Sequence, residues 1–293
     1  MRGMASICAV VMLAAIACAP QRRGAVGDDD DDSGGTDANG TGGSNGSNSN
    51  CGSGAEFVYT IDEFTNQLSR FDPMTKTFTD LGALSCNQGT ATPFSMGVDR
   101  NTVAWVLYDS GTLYHVDINN GLACTPTTWA SSMGLTVFGM GFSTDTVGGQ
   151  TDSLFVGGGA QQEESSYSLA KINTATMTAQ IVGSEPDLPE MTGNSNAELW
   201  GFIPADTSAR VVQFDKTDGS VITSFDEPTL AGTTNGYAFA HWGGDYWVFI
   251  STQAMTTVYQ VDHTSGAITS TTPAPGRTVV GAGVSTCAPT VIQ

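Results

Sequence analysis

Val211-Val-Gln-Phe214-Asp215-Lys-Thr-Asp-Gly219 and Val258-Tyr-Gln-Val261-Asp262-His-Thr-Ser-Gly266 follow one pattern: a short β-like run closed by an aliphatic or Phe, then Asp, then a polar turn ending in Gly. Three further copies precede them, Leu68-Ser-Arg-Phe71-Asp72-Pro-Met-Thr-Lys76, Leu113-Tyr-His-Val116-Asp117-Ile-Asn-Asn-Gly121 and Leu169-Ala-Lys-Ile172-Asn173-Thr-Ala-Thr-Met177. An Asp or Asn side chain folds back onto backbone N–H groups two residues on, and Gly supplies the positive φ that ends a tight return. Gly121, Gly219 and Gly266 suit that place, Lys76 tolerably and Met177 poorly. The five acidic or amide positions therefore read as turn formers, not as catalytic groups.

Successive Asp/Asn positions stand 45, 56, 42 and 47 residues apart, too far for ankyrin or tetratricopeptide units and right for a four-stranded propeller blade. Each turn is preceded by a second β-like run: Phe57–Ile61, Val103–Tyr108, Leu154–Val156, Leu199–Ile203 and Tyr246–Ile250. Aromatic and β-branched enrichment between Gly, Asp, Ser and Asn marks these as strands. Upstream again lie segments of small residues, Ser95–Val98, Gly139–Phe142, Glu190–Gly193, Ala238–His241 and Gly281–Val284, suited to innermost strands that crowd around an axis. The last has no later strands of its own, and the first repeat has no inner strand. Thr278–Ser285 therefore completes the first blade and closes the ring.

The expectation is an all-β, five-bladed β-propeller of four-stranded blades spanning 56–293; a solenoid or two-sheet sandwich leaves the split first repeat unexplained. The region resembles small propellers of the NHL, YVTN and quinoprotein-like classes through these degenerate repeats. That resemblance implies a fold more than a function.

The first 55 residues read differently. Arg2, an apolar run from Met4 to Ile16 and Ala15-Ile16-Ala17-Cys18 make a signal-peptide pattern too short to span a bilayer. The stretch ending at Cys18 resembles the lipobox of bacterial lipoproteins, which implies cleavage after residue 17, acylation of Cys18 and a membrane partner held through that acyl anchor. Ala15 stands where Leu is commoner, and an ordinary secretory signal cut near Ala17 or Ala19 is the alternative. Ala19, in place of the Asp that retains some lipoproteins at the inner membrane, leans by resemblance toward the outer membrane. Residues 18–55, rich in Gly, Ser, Asn and Asp, form an expected flexible tether, with Asp28–Asp32 a solvated spacer or a calcium- or partner-binding tract.

With Cys8 lost in the signal and Cys18 lipidated, Cys51, Cys86, Cys124 and Cys287 remain, allowing three pairings. Cys51 and Cys287 flank the closure and are expected to pair; Cys86 and Cys124, in similar places after adjacent blades, form the second bridge. An exported compartment favours disulfides, and without a CxxC spacing the thiols do not read as a metal site.

Ten Lys and Arg against 29 Asp and Glu give a net charge of −19, which excludes a nucleic-acid binder. Chemistry-bearing motifs are sparse: no HExxH, GxSxG or GxxxxGK[ST] occurs. His115 and His263 have no ligand-spaced partner, and His241 is either packed or turned to the channel. Gly157-Gly-Gly-Ala160 lacks a following helix and reads as a loop. Propeller ligands sit where loops converge on the channel mouth, and Asp62, Glu63, Asp109, Glu163, Glu164, Asp187, Glu190 and Asp206 fall in such loops. They offer either a calcium or cationic-ligand site or plain surface solvation. Trp200, Trp242 and Trp247 either stack a sugar or pack. The functional expectation is a monomeric, non-enzymatic envelope module binding a protein, glycan or small molecule. The alternative is a metal-dependent hydrolase or lactonase using mouth carboxylates.

Overall fold

In the computed structural model the described residues are 50–131, 133–160, 167–185, 187–253 and 255–292. They form five four-stranded antiparallel sheets. The first blade is built from β1 (Val58–Asp62), β2 (Gln67–Asp72) and β3 (Thr77–Ala83), the second from β4 (Pro93–Val98), β5 (Val103–Tyr108), β6 (Leu113–Asp117) and β7 (Ala123–Pro126). The third contains β8 (Val137–Thr144), β9 (Asp152–Gly159), β10 (Tyr167–Asn173) and β11 (Thr178–Glu185). The fourth contains β12 (Glu190–Gly193), β13 (Leu199–Ile203), β14 (Ala209–Phe214) and β15 (Val221–Glu227). The fifth runs β16 (Gly236–Trp242), β17 (Asp245–Thr252), β18 (Met255–Val261) and β19 (Ile268–Pro275). The last strand, β20 (Val279–Val284), crosses back to pair with β1, from Val58↔Val284 to Asp62↔Val279. The innermost strands then touch in the order β20, β4, β8, β12, β16 and back to β20, a closed ring. The five-bladed propeller and its split first blade are thus as the repeat arithmetic requires.

Crowding at the axis explains the small residues. A Cβ on Gly141 of β8 would lie 2.8 Å from the Thr192 backbone of β12, and one on Gly281 would lie 2.7 Å from the Met96 nitrogen of β4. The same pressure corrects the reading of the glycine run. Gly157, Gly158 and Gly159 are buried in β9, not in a loop, and the neighbours of Gly157 and Gly158 leave no room for a side chain.

The outer turns behave as their sequences dictate. Oδ1 of Asp72, Asp117, Asn173, Asp215 and Asp262 accepts the backbone N–H two residues on, at 2.8 to 3.1 Å. Lys76, Gly121, Met177, Gly219 and Gly266 all take positive φ, so even Met177, the poorest fit, is forced into the left-handed region at 52°. Between blades, apolar side chains fill five seams. The seam between blades 1 and 5 gathers Val58, Phe71, Trp247, Phe249 and Val284.

Disulfides join Cys51 to Cys287 and Cys86 to Cys124. The second bridge differs from its expected setting in one respect. Cys124 is in the outer strand β7, so the bridge straps the connection after blade 1 onto the edge of blade 2. No helix among the described residues is long and apolar enough to cross a membrane.

Candidate functional site

Antiparallel blades sort their connections onto two faces. Hairpins between the first and second strands of a blade, turns between the third and fourth, and both ends of the folded chain share one face, here the tail face. Loops between second and third strands and the links between blades share the other, the mouth face.

The tail face is stitched shut. Besides the Cys51–Cys287 bridge, Gly52 N–H donates to Arg100 O at 2.6 Å, Ser285 Oγ to Ala55 O at 2.7 Å, and Trp242 Nε1 to Glu56 O at 2.8 Å. Arg100, from the β4–β5 hairpin, forms a buried ion pair of 2.8 Å with Asp152 at the start of β9. Thr286 Oγ1 donates to the same carboxylate at 2.6 Å, tying blades 2 and 3 to the closing segment.

The mouth face opens into a well of about 310 Å³ lined by the first residues of four inner strands and by neighbouring loops. Phe94 of β4, Glu190 of β12, Tyr237 of β16 and Val280 of β20 form its wall, with Pro93 and Leu188 adding apolar surface. Glu63 and Asp109 stand in the loops after β1 and β5. The Glu190 side chain is buried, the residue being 3% exposed, and accepts from Ser95 Oγ at 3.0 Å through Oε2. Burial holds this carboxyl well above the ordinary range, only partly opposed by Ser95. Tyr237 donates its hydroxyl to Leu188 O at 2.9 Å, and burial, with Glu190 adding to it, raises its pKa too. Glu63 is raised by burial first and then by Asp62 and Asp109. The lining contains no Lys or Arg.

Of the acids named from the sequence, Glu63, Asp109 and Glu190 come together at this well. Asp62 is committed elsewhere. Its Oδ1 takes the N–H groups of Phe64 and Thr65 and the Thr65 hydroxyl, and its Oδ2 takes Thr278 N–H, clasping the closing strand. Asp109 also holds Thr92 through its backbone N–H at 3.2 Å. Asp187 pairs with Arg210 at 2.9 Å, and Asp206 is exposed outside the lining. Cys18, Glu163 and Glu164 lie outside the described residues.

His241 does not reach the mouth. It shares β16 with Tyr237 but sits four residues nearer the tail face, buried beside Tyr246, and desolvation pushes it down to about 4. The tryptophans pack: Trp200 against Tyr246 and Phe225, Trp247 against Phe71, while Trp242 binds Glu56 O. Phe94 and Tyr237 escaped the sequence reading, although each begins near a small-residue segment that was recognised.

Metal-ligand geometry falls on the opposite face. Among the described residues, one group of three acidic or His ligand atoms lies mutually within 4.8 Å, from Asp245, Asp262 and His263. Its carboxylates are already employed. Asp262 Oδ1 takes Thr264 N–H, Ser265 N–H and Ser265 Oγ, and Asp245 Oδ2 takes Gln260 Nε2 at 2.6 Å. Calcium needs six to eight oxygens, and these residues offer few uncommitted ones.

No family model matches the sequence, and no curated protein matches it. Solved structures similar in fold include a luciferin-regenerating enzyme, at 10% identity and TM-score 0.46, covering 78% of this chain and 75% of that one. A protein from Lactobacillus plantarum is similar at 14% identity and TM-score 0.43, covering 78% and 71%. Regucalcin, a calcium-binding protein from Agrobacterium tumefaciens, is similar at 12% identity and TM-score 0.44, covering 80% and 76%. Likeness at this level assigns neither ligand nor reaction.

Proposed function

We propose that this chain is an exported, lipid-anchored binding module and that the well on the mouth face is its ligand site. One observation carries the reading: on the face opposite Cys51 and Cys287 the starts of four inner strands enclose a well with apolar walls, lined by Glu63, Asp109 and Glu190. The two disulfides fit an oxidising, exported setting. A concave site with apolar walls and a few convergent polar groups is the usual form of a small-molecule site, and about 310 Å³ suits a small ligand.

The metal-dependent hydrolase reading requires three mouth carboxylates around one ion. Among the described residues Glu63, Asp109 and Glu190 do not form such a group, which favours binding over metal hydrolysis at this mouth. Two measurements test the proposal. A thermal-shift panel of amines, carboxylates, sugars and calcium should contain compounds that stabilise the mature protein, and Leu188→Trp, which fills the well, should abolish those shifts. Shifts that persist in Leu188→Trp, or a panel without any hit, overturn the ligand site. Separately, Cys18→Ala should release the protein from membranes, and unchanged retention refutes acyl anchoring.

A further inference from the structure

We propose that the well selects a small organic cation, an ammonium group carried on an apolar or aromatic body, with the Glu190 carboxylate as its counter-ion. The inference rests on the well being the ligand site and adds the chemical class. Three carboxyl-bearing residues line the cavity and no basic residue does. Arg210 and Arg277, neither of which lines the cavity, are paired with Asp187 and Asp80. The cavity therefore gathers carboxyl groups with no basic residue in its lining to neutralise them when they ionise.

The walls choose between a metal ion and an organic cation. Among the described residues Glu63, Asp109 and Glu190 do not bring three ligand atoms mutually within 4.8 Å, so they do not converge on one divalent ion, whereas the aromatic faces of Phe94 and Tyr237 attract an ammonium group and Pro93, Leu188 and Val280 solvate its apolar body. Glu190 adds a built contact point. Its Oε2 is held by Ser95, itself fully buried, and no donor among the described residues is recorded on Oε1.

Burial disfavours the charged form of Glu190 in the free protein, and an entering ammonium restores it. Binding should therefore release a proton when the solution lies below the Glu190 pKa, and affinity should rise with pH up to that pKa. The titratable groups that line the well with Glu190 are Glu63, Asp109 and Tyr237, and Tyr167 and Asp187 act with Glu190 on Tyr237. No His is among them, so a proton released near neutrality points to a carboxyl.

Calorimetry on the mature protein with phenethylamine, 2-phenylethanol, phenylacetate and calcium chloride, in two buffers of different ionisation enthalpy, tests this directly. Phenethylamine should bind roughly 10- to 100-fold more tightly than the matched alcohol, the range of a charge-assisted hydrogen bond. Glu190→Gln, which keeps the side-chain shape and can still bond Ser95, should erase that preference, the proton release and the pH dependence together. Equal binding of amine and alcohol, or tighter binding of phenylacetate, overturns the cation class; if Leu188→Trp blocks that binding, the ligand-site reading survives. Calcium that displaces the amine at lower concentration overturns the organic cation in favour of a metal. No binding by any probe also overturns the inference, and hits elsewhere in the wider panel that Leu188→Trp removes would leave the site itself intact.

Discussion

The two faces of the ring bury charge in opposite ways. On the tail face Arg100 and Asp152 are buried as a pair, with Thr286 adding a hydrogen bond. On the mouth face Glu190 and Glu227 are buried carboxyls with no ion-pair partner among the described residues; Glu227 Oε1 lacks a hydrogen-bond partner there, as do Arg100 Nη1 and Asp152 Oδ1 on the tail face. A buried carboxylate with a cation beside it keeps its charge, whereas a carboxyl buried without one is pushed toward its neutral form. The contrast is between a buried ion pair beside the chain ends and single buried carboxyls on the other face.

The sharpest way to break this contrast is Arg100→Met, which strands Asp152 in a buried site. Loss of about 3–5 kcal/mol is expected from such a broken pair, read by urea denaturation, with a much smaller loss in the double variant Arg100→Met, Asp152→Leu. Next is Cys51→Ser with Cys287→Ser. A bridge typically contributes about 2–4 kcal/mol, and the loop-entropy relation makes this one worth about 1.5 kcal/mol more than Cys86–Cys124, because it spans 236 residues against 38. Thermal unfolding of the two double serine variants tests that order.

Glu227 sharpens the other side. Burial, then Asp226, raises its pKa from 4.5 to about 7. A raised carboxyl binds its proton more tightly folded than unfolded, so its stability contribution is complete below pH 4.5 and is lost as pH rises toward 7. Glu227→Gln should therefore stabilise the protein at pH 8 by about 1–3 kcal/mol at most, seen as a higher melting temperature, and leave stability unchanged near pH 4. Equal effects at both pH values would contradict the assignment. The smallest effect belongs to Met177, whose φ of 52° suits glycine. Met177→Gly should change stability by less than about 1 kcal/mol, because relief of the left-handed penalty is offset by added chain entropy and by loss of the Met177 packing against the seam between blades 2 and 3, measured by the same denaturation.

The division between faces also explains what could be read from the sequence. The repeated Asp turns and the strands before them are local patterns, each complete within a dozen residues, so Asp72, Asp215 and Asp262 announce their roles. Closure was legible because Gly281–Val284 is an inner strand left over and blade 1 lacks one. The well was only half legible. Glu63, Asp109 and Glu190 could be named as acids near loop ends, but Asp62 looked equivalent to Glu63 until Thr278 N–H was found on its carboxylate. Phe94 and Tyr237 become walls only because four inner strands bring their starts together, a proximity that no local spacing encodes. His241 was misleading for the same reason, since four residues along β16 lead it away from the mouth.

The Cys51–Cys287 bridge bears finally on mechanics. Val58 and Val284 are partners at the tail-face ends of β1 and β20, and the bridge joins the chain just beyond both. A pull on the chain ahead of Cys51 enters at that residue and is shared at once with Cys287, so both strands are drawn together in one direction. Their hydrogen bonds are then carried along instead of being sheared past one another, and the ring has a mooring point that resists opening at its own closure.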